Sequence, residues 1–399
     1  MRLRTKALAL AVTLGLSAAV PAAASAETGA GTSAATAAET AAETAAPGDL
    51  VATEPSSFHP LPGQPTRTKA WRIEYRSTTA LGAPSVVSGT VIVPQDGRDA
   101  DDGPRPLITY AVGTVGLGDS CAPSAGFPHG TTLEANLIQQ LTLRGWAVVV
   151  TDYEGLGTPG DHTYTVGRSA GHAVLDAARA AIALPEAGLA PDAPVGIMGY
   201  SQGGQASSWA AELHGSYAPE LNVKGTVTGG VPAKLAALAP VHDGSYGSGL
   251  LFMAAAGQDA AFPELKLDSY LNRAGKALIG FLRNNCVAVD TTVGSFKKIS
   301  DLTVRDPLQT PEWQRRLSES DLGTRAPDHP VYLYHALADE LIPYSLGRGL
   351  RDDWCARGAD VRWRTIWLGE HVSGVITESV RAGDWLAGRF AGERTSGTC

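Results

Sequence analysis

Pro194-Val195-Gly196-Ile197-Met198-Gly199-Tyr200-Ser201-Gln202-Gly203-Gly204 is the stretch on which the reading of this chain turns. Val195, Ile197 and Met198 make a short apolar run of the kind found in strands covered on both faces. The next five residues match G-x-S-x-G, and helical spacing follows from about residue 204 to 213. A strand that stops, turns and enters a helix this abruptly places its central serine at the apex, in a strained conformation. Glycines two before and two after remove the Cβ atoms that would collide in such a turn. The motif is short enough to arise by chance, and a structural glycine-rich turn is the plain alternative. Its setting between a strand and a helix favours Ser201 as a nucleophile.

Outward from this point, strand-like and helix-like segments alternate. Residues 106–112 and 146–152 read as buried strands, the second dense in β-branched side chains. Residues 133–144 between them have helical spacing, as do 170–183, where Ala173, Val174, Ala177, Ala178 and Ala181 share one face. Later strands are expected over 223–228, 331–336 and 361–367. This alternation specifies an α/β fold with a doubly wound, mostly parallel sheet. Between about 234 and 302 the pattern changes to helices alone, with Leu267, Tyr270, Leu271, Ala274, Leu278, Phe281 and Leu282 at helical spacing. An insertion beyond the strand that follows the nucleophile lies where such sheets open their site, so it reads as a helical cap. Ordinary peripheral helices are the alternative.

A nucleophilic serine needs a base, and the base needs an orienting carboxylate. Sheets with this elbow supply them in the order serine, acid, histidine. Past Ser201 stand His214, His242, His329, His335 and His371. His214 lies on the nucleophile helix and His242 in the insertion, while His329 precedes a strand and His335 lies within it. His371 alone falls in a loop between the last strand and the last helix, so it is the expected base. Asp339 follows the 331–336 strand and is the expected acid, with Glu340 its rival. Asp352 and Asp353 fall in a helix and Asp384 lies after the histidine. The oxyanion donors are expected to be the N–H of Gln202 and one from the loop Gly113-Thr114-Val115-Gly116, with Thr114 and Val115 as candidates.

The N-terminus addresses the compartment. Arg2, Arg4 and Lys6 precede an apolar run from Ala7 to about Val20, and Ala24-Ser25-Ala26 supplies a cleavage pattern. A secretory signal over 1–26 is expected, since the run is too short to span a bilayer. Residues 27–50 are nearly all small or polar and read as a disordered leader, which leaves 51–399 as one catalytic domain. Loss of the signal moves the formal charge from −8 to −11. An acidic secreted chain has no electrostatic attraction for nucleic acid or an anionic membrane, and a neutral substrate suits it better. Cys121, Cys286, Cys355 and Cys399 are an even set, which in an oxidising compartment suggests two disulfides of undetermined pairing. No C-x-x-C, Cys/His cluster or H-E-x-x-H spacing occurs, so neither a metal nor another cofactor is expected. A monomer without stable membrane insertion is the expected form.

Together these residues resemble the secretory lipase family, the lipase A type of α/β hydrolase. The likeness runs over about residues 105–399. It is carried by Asp119-Ser120-Cys121-Ala122-Pro123-Ser124, Asp152-Tyr153-Glu154-Gly155-Leu156-Gly157, the Gly-Tyr-Ser-Gln-Gly-Gly elbow, Asp339-Glu340-Leu341-Ile342-Pro343 and Gly369-Glu370-His371. The resemblance implies a helical cap over a tunnel for an acyl chain, and hydrolysis of carboxylic esters including triacylglycerols. It also implies the disulfide pairs Cys121–Cys286 and Cys355–Cys399. Fungal members carry an acidic residue where this chain has Gly113-Thr114-Val115-Gly116, and continue past their last cysteine into a flap, whereas this chain ends at Cys399. A partly open site with weak interfacial activation is therefore expected. A short- or medium-chain carboxylesterase would use the same residues. A serine peptidase of this fold would need a charged anchor for a peptide terminus, and none is evident. Non-catalytic proteins of this fold usually lose a triad member, and all three are present here.

Overall fold

Val148, Val149 and Val150 have no solvent-exposed surface. They belong to β5 (Ala147–Thr151), which pairs antiparallel with β3 (Pro84–Pro94) and parallel with β4 (Leu107–Ala111). The computed structural model describes residues 46–98 and 103–399. The expected signal at 1–26, and the leader as far as residue 45, lie outside the described residues.

The sheet has nine strands in the order β1-β2-β3-β5-β4-β6-β7-β8-β9. β6 (Val195–Tyr200), β7 (Val223–Gly229), β8 (Val331–Ala336) and β9 (Val361–Ile366) continue the parallel half from β4. β1 (Leu50–Ser56) and β2 (Thr68–Thr78) extend the antiparallel edge beyond β3. The six parallel strands match the expected segments to within a residue or two. The three N-terminal strands were not foreseen. In β2 the buried Ala70, Ile73 and Tyr75 are interleaved with Lys69, Arg72, Glu74 and Arg76, because one face of this edge is exposed. The leader also ends earlier than expected. Gly48 N–H donates to Arg76 O (2.8 Å) and Leu50 already pairs with Tyr75, so the chain joins the sheet before Val51.

Helices cover both faces. α1 (Ala135–Thr142) packs on β3 and β5, beside the C-terminal helix α10 (His371–Phe390), which lies on β7 and β8. The opposite face carries α2 (Gly167–Ala183), α3 (Gln202–Tyr217) and α9 (Tyr344–Ala356). α2 and α3 approach closely because Gly171 presents no side chain to Trp209.

Between β7 and β8 lie α4 (Leu235–His242), α5 (Ser248–Ala261), α6 (Arg273–Leu282), α7 (Val287–Gly294) and α8 (Pro311–Glu319). Phe252, Met253, Leu271, Ile279, Leu282 and Trp313 bury one another in a second core, which also takes in Leu117 and Tyr164 from loops of the sheet. Each such side chain stabilises by roughly 1.5–3 kcal/mol when fully buried. The helical insertion therefore runs past residue 302, where it was expected to end. α8 escaped notice because its exposed positions are strongly polar and only Trp313 and Leu317, four apart, are buried. Among the described residues no helix is long and apolar enough to cross a membrane.

Candidate active site

Ser201 closes β6 and caps α3 with φ 60° and ψ −120°, a region non-glycine residues rarely adopt. The neighbouring glycines are sterically required. A Cβ at Gly199 would lie 2.1 Å from Gly203 O, and one at Gly203 would lie 1.9 Å from Ala111 O. The strain is held by Ser201 N–H donating to Gly229 O (3.0 Å) and by the start of α3.

His371 is the first residue of α10, and its Nε2 stands 2.9 Å from Ser201 Oγ. Its Nδ1 stands 2.8 Å from Asp339 Oδ2. The other oxygen of Asp339 accepts from Leu341 N–H (3.1 Å) and Ile342 N–H (2.7 Å). Burial opposes charge on Asp339, but hydrogen bonds from His335, His371 and Ile342 outweigh it and hold the carboxyl well below the usual carboxylate range. Glu340, the rival acid, instead accepts from the backbone N–H of His371 (3.1 Å). Glu370 caps α10 by accepting from Val372 and Ser373 N–H, which fixes where the helix starts and hence where His371 sits. Tyr200 OH donates to His371 O (2.7 Å) from below.

Gln202 opens α3, so its N–H lies at the positive end of that helix and lacks an intrahelical acceptor. Of the two loop candidates, Thr114 lines the cavity beside Ser201 and Gln202. Val115 turns away: its side chain packs on the sheet core and its carbonyl accepts from Val287 N–H (2.8 Å). The loop is tied to the cap by this bond, by Leu117 and Gly118 N–H on Asn285 O (3.2 Å each), and by the Cys121–Cys286 disulfide. Cys355–Cys399 is the second disulfide.

The two sequence motifs after β4 and β5 clasp each other. Asp152 accepts from Ser124 N–H (2.9 Å) and Ser88 Oγ–H (2.7 Å), and Gly157 N–H donates to Asp119 (2.9 Å). Tyr153 OH donates to Val112 O (2.7 Å), at the base of the loop that carries Thr114. These motifs shape the site without reaching the serine. Three further residues were given no role by the sequence. Glu134 accepts from Gly113 N–H (2.8 Å) and Tyr110 OH (2.7 Å); burial raises its carboxyl despite these bonds. His162 Nε2 meets the Gln202 amide (3.2 Å), and burial lowers its imidazole to about 4, so it is neutral. His335 Nε2 lies between Ile342 O (2.8 Å) and Asp339 Oδ2 (3.3 Å). The contacts of Glu134 with Gly113 and of His162 with Gln202 join segments far apart in the chain, which spacing cannot register.

From Ser201 a cavity runs under the cap, lined by Leu235, Leu238, Ala239, Leu250, Leu251, Phe252, Leu267, Leu271, Ile279, Trp313 and Leu341. His242, one of the histidines weighed as a base, lies on its wall. Among the described residues, no Asp, Glu, Lys or Arg side chain lines this cavity.

Residues 126–398 match the secretory lipase family model. A probable inactive lipase of Mycobacterium tuberculosis is 31% identical, covering 82% of this chain and 75% of its own length. A secreted triacylglycerol lipase of Malassezia furfur is 28% identical over 88% of this chain and 74% of its own. Among solved structures, closed-state lipase A of Candida antarctica superposes with a TM-score of 0.80 at 23% identity, covering 90% of this chain and 86% of that one. With the family model covering most of the catalytic fold, the chain belongs to the secretory lipase family.

Proposed function

We propose that this chain is a secreted serine hydrolase that cleaves carboxylic esters of the acylglycerol class through an acyl-enzyme on Ser201. The observation that carries the reading is His371 Nε2 at 2.9 Å from Ser201 Oγ, with Asp339 on Nδ1, at the mouth of an apolar cavity. His371 takes the Ser201 proton as Oγ attacks the ester carbonyl. Asp339 holds the imidazole in the Nδ1–H tautomer and stabilises the imidazolium. The N–H groups of Gln202 and Thr114 stabilise the oxyanion. His371 then protonates the leaving alcohol and activates the water that releases the acid.

The acyl chain runs under the cap. Wholly uncharged walls suit a neutral chain and offer no anchor for a peptide terminus, which argues against the peptidase alternative. Triacylglycerol lipases among the relatives support an acylglycerol substrate. The signal-like 1–26 segment and two disulfides support export, and one chain supplies every catalytic group, so the monomer is the proposed form.

The test is a series of esters from butyrate to palmitate, extended to emulsified triacylglycerol, with Ser201→Ala as control. Each methylene that enters the cavity contributes about 0.8 kcal/mol, roughly fourfold in kcat/KM, with a peak near about eight carbons. An organophosphonate should label Ser201, and Ser201→Ala should lose roughly five to six orders of magnitude. A folded Ser201→Ala protein with substantial activity would overturn the mechanism. Turnover of soluble esters with none of emulsified triacylglycerol would make the enzyme a carboxylesterase.

A further inference from the structure

Roughly 20 Å along α3 from the nucleophile, at 1.5 Å per residue, lies His214. Its Nδ1 is 2.8 Å from Asp328 Oδ1 and 3.0 Å from Oδ2. His329 Nδ1 is 2.9 Å from the same Oδ1, and the two imidazoles meet edge to face at 5.3 Å. Outside the active site, and among the described residues, these three side chains form a group of His and carboxylate ligands whose donor atoms all lie within 4.8 Å of one another.

The far side of each ring is held. His214 Nε2 is 3.0 Å from Leu221 O, a pure acceptor, so the proton sits on Nε2. His329 Nε2 is 2.7 Å from Thr226 Oγ1, which is buried in β7. Both Nδ1 atoms therefore turn toward one carboxylate, and each donates to it when protonated. A cation that displaced those protons would face two nitrogens and a carboxylate oxygen at once. An outer oxygen on each far nitrogen is the arrangement that orients metal-binding histidines. Both histidines are buried, while the Asp328 side chain is 46% exposed and leaves one side open to water. Gly215 keeps room for the carboxylate: a Cβ there would lie 2.6 Å from Asp328 Oδ2.

We propose that His214, Asp328 and His329 form a binding site for a zinc-class divalent cation, tying the end of the nucleophile helix to the start of β8. Two imidazoles and one carboxylate with a water make a tetrahedral set suited to zinc, with metal–ligand bonds near about 2.0–2.2 Å. The contacts of 2.8 and 2.9 Å need to open by about half an ångström to reach the ligand spacing of such a tetrahedron. Binding releases to solvent whatever protons the two Nδ1 atoms carry. The ligands come from a helix and from the loop before a strand, which is why no metal spacing is visible along the chain.

The experiment uses the full-length secreted protein after chelator treatment and gel filtration. Zinc is titrated by calorimetry and thermal unfolding, and cobalt by its visible absorption. One equivalent should bind with micromolar affinity, raise Tm by a few degrees and give the intense spectrum of tetrahedral cobalt. His329→Gln and Asp328→Asn should each abolish the zinc-dependent rise in Tm, while ester hydrolysis in chelator stays at the unmodified level. If Asp328→Asn does not fold, His329→Gln, whose amide still reaches Thr226, carries the comparison. Absence of a shift at millimolar zinc would overturn the proposal. An equal shift in the unmodified protein and in His329→Gln would also overturn it, since the ion would then sit elsewhere.

Discussion

At Asp339 the carboxylate is buried, a setting that ordinarily favours the neutral acid. It stays charged because His371, Leu341 and Ile342 direct N–H groups at it and His335 Nε2 lies 3.3 Å away. Asp339→Asn keeps the shape but no longer selects the Nδ1–H tautomer of His371, and kcat should fall by about 10⁴. His335 touches no reacting atom and acts as a positioning residue. His335→Leu removes the Nε2 atom that lies between Ile342 O and the Asp339 carboxylate, so kcat should fall roughly tenfold while KM stays near its starting value. Steady-state kinetics on a soluble ester make the check. An unchanged kcat in His335→Leu would reduce that histidine to packing.

Between β4 and the cap the connection is short, covalent and close to the proposed oxyanion donors. Gly116 bridges to Cys286, and a Cβ at Gly116 would sit 2.5 Å from Cys286 Cα, so loop and cap touch backbone to backbone. The two disulfides should therefore differ in consequence. Replacing Cys121 and Cys286 by alanine should cost about 2–5 kcal/mol and also lower kcat, because Thr114 shares the loop. Replacing Cys355 and Cys399 releases the terminal strand contact at Val361 and should lower Tm with kcat retained. Paired measurements of Tm and kcat decide this. Equal kcat in both double variants would mean that the bridge at Cys121 does not hold the oxyanion loop.

Over the whole molecule, stability against pH is set by acids that folding pushes in opposite directions. Asp339 is lowered, so its contribution is complete above the ordinary carboxyl pKa of about 4 and is lost as pH falls below it. Asp176 is raised to about 6 and Asp290 to about 7, in each case chiefly by burial. Neither oxygen of Asp290 has a hydrogen-bond partner, and the nearby Leu117 N–H is already given to Asn285 O. A raised acid binds its proton more tightly when folded, so stability falls as pH rises from about 4 through about 7. Asp290→Asn removes this ionisation. Its Tm should exceed that of the unmodified protein at pH 8 and converge with it near pH 4. Thermal unfolding across that range is the measurement, and a gap that widens toward acid would contradict the assignment.

The six parallel strands, the elbow at Ser201, and His371 and Asp339 were legible in the chain because each rests on a local property. Doubly covered strands are runs of apolar residues, a sharp turn demands glycines at fixed offsets, and the sheet delivers acid and base in a set order. Disulfide pairing followed from family likeness, since four cysteines alone leave it open. The half-exposed strands β1 to β3 and the polar helix α8 bury too few side chains to stand out from loops. Only the tertiary structure decided that Thr114 and not Val115 faces the cavity, that Glu340 binds the backbone of His371, and that Glu134 and His335 brace the site. It also brought His214 to Asp328, more than a hundred residues away. Spacing encodes what a segment does within itself. Which side chains meet across the sheet is settled when packing brings the segments together.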